Sequence, residues 1–228
     1  MTSNYSMIFA FSGISTLFVF LISSLYFKQV RTHRGMMLWW IYFALASLTE
    51  IILHIFSYNN QQSAQVFHIY TLVEYFMLTM ILATWQDAKI AAKRMRLSIP
   101  IYIVVYALIK FVGLEDFSAA TINVVTRPVA LLMINVFSCY TLFSLWSNPP
   151  EKIFRDHKFW MLIALILYYN ISLILSAFMF MKNVAVIVAL FEIHAVVNII
   201  HNILFAIGVF LCAQCDQDAG RDAQEATA

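Results

Sequence analysis

Glu50 and His54 stand four residues apart in a stretch that is otherwise apolar, and Tyr70 and Glu74 repeat that spacing in the next. His194, Asn198, His201 and Asn202 follow at offsets of 0, 4, 7 and 8 in a third apolar stretch. At helical period each of these groups shares one face. A carboxylate beside an imidazole can bind a polar ligand, carry a proton or respond to pH. Together the two groups can also ligate a metal. His68 and Asn170 add one more imidazole and one more amide in apolar surroundings. An ionisable group in a spanning helix costs about 2.5–3.5 kcal/mol on insertion scales and is retained mostly where it faces the protein interior or a cavity. The expected ligand-binding set is therefore Glu50, His54, His68, Tyr70, Glu74, Asn170, His194 and Asn198. Within it, Glu50, Glu74, His68 and His194 are expected to converge, and Glu74 to be buried with a hydrogen-bond partner. Asn135, Ser172, Ser176, Asn202 and, as the alternative to ligand binding, Asn198 read as glue between helices, worth about 0.6 kcal/mol each. Tyr168 and Tyr169 read as packing with a satisfied hydroxyl.

The elements that must carry these groups follow from composition. The 228 residues are 62% hydrophobic and 11% charged, against about 45–50% and about 25% in soluble domains. Mean hydropathy is +0.80. These values exclude a soluble enzyme, a disordered chain and a disulfide scaffold. The net charge of +2 gives no basic surface for nucleic acid; the partner that the composition demands is the lipid bilayer. A spanning helix needs about 20 mostly apolar residues. Seven segments qualify: Tyr5–Phe27, Met36–Tyr58, Val66–Trp85, Leu97–Val112, Ile122–Trp146, Phe159–Met181 and Val184–Ala213. The fourth is shortest and is expected to extend at one end. A barrel would need alternation, which the run Met161–Leu167 lacks. The expected fold is all-α: one seven-helix transmembrane domain over 1–215 and a disordered acidic tail over 216–228. No internal repeat is visible.

Charge sets the expected orientation. Eleven of the 14 Lys and Arg residues fall after the first, third, fifth and seventh segments; only Lys110, Arg127 and Lys182 fall on the other side. The positive-inside rule then puts the N-terminus outside and the C-terminus in the cytoplasm, in an inner (plasma) membrane. Met1–Met7 lacks a basic n-region, so the first segment reads as a retained helix rather than a signal peptide. Trp39, Trp40, Trp85, Trp146 and Trp160 all fall near the basic side, where an aromatic belt is expected. Cys139, Cys212 and Cys215 read as small hydrophobes, the Cys-Ala-Gln-Cys spacing lacking a thioredoxin-like context.

The stretches Phe67–Tyr75 and His194–Phe205 resemble a family of uncharacterised bacterial seven-helix proteins of similar length. That family carries His-x-Tyr-Thr-x-x-Glu in its third helix and His-x-x-x-Asn-x-x-x-Asn in its seventh. It also has a Glu late in the second helix and an Asn in the sixth. The matching residues here are Glu50, His68, Tyr70, Glu74, Asn170, His194, Asn198 and Asn202. His54 and His201 depart from the pattern, the family carrying apolar residues there. The resemblance implies a sensory role, with a sensor histidine kinase or another cytoplasmic protein as the partner.

Three functions fit these residues. The first is a receptor-like sensor with a polar, ligand- or proton-responsive site in the outer half of the bundle. The second is an intramembrane, metal-dependent lipid hydrolase. It lacks His-x-x-x-His on one helix, and His194 and His201 stand about 10.5 Å apart along the axis. The third is a small-molecule transporter, for which neither broken helices nor repeats are seen. The last segment has no lysine for a retinal Schiff base, and no cofactor is expected.

Overall fold

The computed structural model describes residues 2–59, 64–115, 124–147, 149–150, 152–178 and 184–225; side chains are described from 7 to 215 within those ranges, except Val184. Among the described residues the regular elements are all helices, with no strand. The helices are α1 (Thr2–Leu25), a short α2 (Phe27–Val30), α3 (Met36–Tyr58), α4 (Ala64–Thr84), α5 (Lys89–Phe111), α6 (Thr126–Ser147), α7 (His157–Phe178) and α8 (Val184–Glu225). A 3-10 turn at Ile153–Arg155 precedes α7. Within lipid each backbone must satisfy its own hydrogen bonds, and these apolar runs do so as helices.

Six helices are long and apolar enough to cross a membrane: α1, α3, α4, α6, α7 and α8. They pack in a closed ring in the order α1, α3, α4, α6, α7, α8 and back to α1. The remaining long helix, α5, lies outside the ring against α4 and α6. Its charges keep it out of the six. Lys89, Lys93, Arg94 and Arg96 occupy its first two turns, so the apolar part begins only at Leu97. The extension anticipated for the fourth segment is therefore at its N-terminal, basic end. Antiparallel contact with α4 is fixed near the middle by Tyr75 Oη donating to Ser98 Oγ at 2.8 Å. It is fixed at the end by Tyr106 Oη donating to the His68 carbonyl at 3.2 Å.

α8 continues to Glu225, into the stretch whose composition predicts a disordered tail. Once nucleated, a helix extends cheaply through Ala, Gln, Arg and Glu. The end of the fifth segment at 122–123, that of the sixth at 179–181, and Lys182 lie outside the described residues.

The half of the ring near the basic loops is packed with aromatic rings. Trp39, with no exposed surface, contacts Phe205 at 4.8 Å, Phe43 at 5.5 Å and Trp85 at 5.7 Å between ring centroids. Trp39 and Trp85 are thus core residues rather than members of a lipid-facing belt; only bundle packing could decide this. The Trp85 indole also donates to the Arg34 carbonyl at 2.9 Å, clipping the loop before α3. That loop ends in Gly35, at φ +85°, where a Cβ would lie 2.8 Å from Thr84 Oγ1. Left-handed backbone and lack of room both select glycine here. On α8, a Cβ at Gly208 would meet Met161 Cγ at 2.7 Å, so this glycine lets α7 and α8 approach closely.

Candidate functional site

In the opposite half the helices of the ring leave space between them. A cavity of about 370 Å³ lies between α1, α3, α4, α6, α7 and α8. Its wall is polar where the helices bring their heteroatoms inward. Glu74, 2% exposed, accepts a hydrogen bond from Tyr169 Oη at 2.9 Å. Its other oxygen lies 3.7 Å from Arg127 Nη1, and the same guanidinium nitrogen donates to Thr71 Oγ1 at 3.4 Å. Arg127 is the second residue of α6, so the helix start places a long cation level with the middle of α4. The paired charges offset a burial that neither could sustain alone.

The α8 stripe forms the facing wall. His194 Nε2 is 3.0 Å from Ser172 Oγ. Asn198 Nδ2 donates to Ser12 Oγ at 2.8 Å, and Asn202 Nδ2 to Ser15 Oγ at 2.8 Å and Thr16 Oγ1 at 3.2 Å. Two turns of α1 are thereby tied to α8. His201 is buried and stacks on Tyr168 at 4.6 Å, yet both its ring nitrogens lack a hydrogen-bond partner. A buried polar atom without a partner costs about 1–3 kcal/mol, and the residue that carries these two lines the cavity.

Glu50, Tyr70, Glu74, His194 and Asn198 from the expected set line this cavity. The other three do not. His54, one helical turn beyond Glu50, is exposed and borders a groove on the outside of the ring between α1 and α3. His68 faces α5, its Nδ1 2.9 Å from Lys110 Nζ. Tyr70 reaches the cavity because two residues turn a helix by about 200°, which is the same reason His68 cannot. Convergence of Glu50, Glu74, His68 and His194 is therefore corrected to three of the four. Asn170 lies on the lipid-facing side of α7, exchanging amide hydrogen bonds with Asn135 at 3.1 and 3.3 Å. Reciprocal pairing satisfies both amides between α6 and α7 without a cavity.

Sequence reading missed Arg127, which counted only as a loop charge. Its signal was a lone arginine just inside an apolar helix. It also missed Ser12, Ser15 and Thr16, whose 0, 3, 4 spacing marks one face of α1. A further cluster lay hidden in Lys110 and Glu115. Glu115 accepts hydrogen bonds from the Val125 and Thr126 N–H groups and from Thr126 Oγ1, the last at 2.7 Å. Lys110 Nζ reaches the same carboxylate at 2.9 Å. Burial pushes the Glu115 carboxyl up, but these donors outweigh it and hold it below its ordinary value. The loop acid thus caps the start of α6 and fixes Arg127 in depth.

Among the described residues no group of three or more His, Cys, Asp or Glu is placed to hold a metal. The ligands considered for a hydrolase, Glu50, His54, His68 and His194, face three different places. The geometry offers instead a polar chamber with a salt bridge on one wall, an unpartnered imidazole on another and a carboxylate at its margin. Compared with known proteins, the chain matches no family model, no curated protein and no solved structure.

Proposed function

We propose that this chain is a receptor-like membrane sensor that takes a small polar or amphipathic molecule into the ring and relays its occupancy to a separate cytoplasmic partner, such as a sensor histidine kinase. The observation that carries this reading is a cavity bordered by a buried imidazole with no partner. A purely structural polar network would satisfy its own groups; here both ring nitrogens of a cavity-lining histidine are buried without a partner. The relay has a physical route. Tyr168 stacks on His201, and His201 packs against Phe205 at 4.3 Å, which in turn touches Trp39 at the basic half.

The reading includes seven crossings with the N-terminus outside a bacterial inner membrane. Two features support it. α5 runs antiparallel to α4 from near Ser98 to Tyr106 and so returns the chain across the bundle. Of the three cations opposite the basic end, Lys110 and Arg127 are paired internally, which sharpens the charge asymmetry. A reporter fused after Ala228 that is active only outside the cytoplasm would overturn this orientation.

His201→Phe tests the sensor reading, because it keeps an aromatic ring beside the cavity and removes two buried polar atoms that lack a partner. Expressed at normal abundance, it should give the transcript profile of a strain lacking the chain. A profile indistinguishable from that of the parent strain would overturn the reading.

A further inference from the structure

The cavity is not closed on its α1–α3 side. A second space of about 530 Å³ lies on the outer face of the ring between these helices, walled largely by Ile14, Leu17, Ile51 and Ile55. The two spaces share Phe9, Gly13, Glu50 and Leu53, so they meet at one threshold. Gly13 keeps that threshold low. A Cβ there would sit 3.6 Å from Glu50 Oε2, so the α1 backbone passes beside the carboxylate with no side chain between.

The charges around the cavity do not balance internally. It is lined by two carboxylates and one guanidinium. Arg127 and Tyr169 are committed to Glu74. Among the described residues Glu50 has no hydrogen-bond or ion-pair partner. A carboxylate at the edge of hydrocarbon is stabilised by a cation that brings N–H donors. An anionic headgroup would be repelled by Glu50, and a molecule without an apolar tail would leave the outer groove unused.

We infer that the occupant is a long-chain amine drawn sideways from the bilayer, its ammonium resting on Glu50 at the threshold and its hydrocarbon tail lying in the groove between α1 and α3. This names the ligand class and entry route of the sensor cavity and rests on that reading. The polar interior beyond Glu50 then receives whatever hydroxyl or amide groups the headgroup carries.

The probe is octadecylamine bearing a diazirine near the end of its tail, offered to the full chain in phosphatidylcholine nanodiscs. Photolysis should place adducts on Ile14, Leu17, Ile51 and Ile55 in preference to the lipid-facing Ile103 and Val104 of α5. Glu50→Gln should lower groove labelling about tenfold or more, the worth of a charge-assisted hydrogen bond. Gly13→Ile, which raises the threshold while leaving Glu50 in place, should lower it as well. Unlabelled octadecylamine should displace the probe, and butylamine should not. Three results would each overturn the inference: equal groove labelling by a diazirine phosphatidylcholine, undiminished labelling in both variants, or displacement by butylamine as effective as by octadecylamine. The last would mean entry from water. Any of these, with His201→Phe cells still resembling the deletion strain, leaves the sensor reading standing. The expected labelling with His201→Phe cells resembling the parent would retain the lipid site and end the sensor reading.

Discussion

The two halves of the ring are built from the same helices and packed by opposite means. Near the basic loops, Trp39, Phe43, Trp85 and Phe205 interlock ring against ring. In the other half, the same α3 and α8 present Glu50, His194, Asn198 and His201 to open volume. Within lipid there is little hydrophobic gain from moving an apolar side chain into the bundle, so association relies on packing and interhelical hydrogen bonds. The aromatic half supplies the packing. Both halves hold buried polar atoms without a partner, Trp39 Nε1 in one and the two His201 nitrogens in the other, but His201 lines the cavity and Trp39 does not. The contrast teaches that the stability of this bundle and its binding capacity reside at different depths.

That contrast can be broken most sharply at Trp39. Trp39→Ala should cost about 3–5 kcal/mol of unfolding free energy, the usual loss for truncating a fully packed aromatic residue. Denaturant titration in mixed micelles measures it; a loss below about 1 kcal/mol would mean the aromatic half is not the anchor. Next comes the ion pair. Arg127→Met leaves Glu74 buried beside Tyr169 alone and should cost about 3 kcal/mol. Adding Glu74→Gln to that variant should restore more than half of the loss, since the uncompensated charge is gone. If the double variant is as unstable as the single, the pair does not stabilise the site by charge.

A smaller effect belongs to Glu115. Its carboxyl is held below the ordinary value of about 4.5 by donors present only in the folded chain. Its stabilising contribution is therefore complete above that value and is lost as pH falls through the lower folded one. Glu115→Gln should cost about 1–2 kcal/mol at neutral pH, and its difference from the parent chain should narrow toward zero in acid. A difference that does not change with pH would show that the charge is not what holds the start of α6. The smallest effect is expected at His201. With both ring nitrogens buried and no well-formed hydrogen bond to either, His201→Phe should leave thermal stability unchanged or raise it by up to about 1 kcal/mol. Destabilisation by more than that would show that the imidazole is part of the packed core rather than a group reserved for an occupant.

The sequence by itself determined the helical class, the apolar stretches that become the six membrane-length helices, and the concentration of cations at one end. Hydropathy and charge are local properties that survive folding unchanged. It also determined that Glu74 must be buried with partners, because lipid tolerates nothing else. Tertiary structure alone decided which partners these are. Arg127 and Tyr169 lie 53 and 95 residues away from Glu74 in the chain, and no spacing rule links positions on different helices. It also separated His68 from the cavity and turned Asn170 toward Asn135. A face of one helix is fixed by its own period, but whether that face meets the interior, a neighbour or lipid depends on how the helix is rotated in the ring. That rotation is set by packing across the bundle, by close approaches such as Gly208 on Met161, and by clasps such as Glu115 on the start of α6.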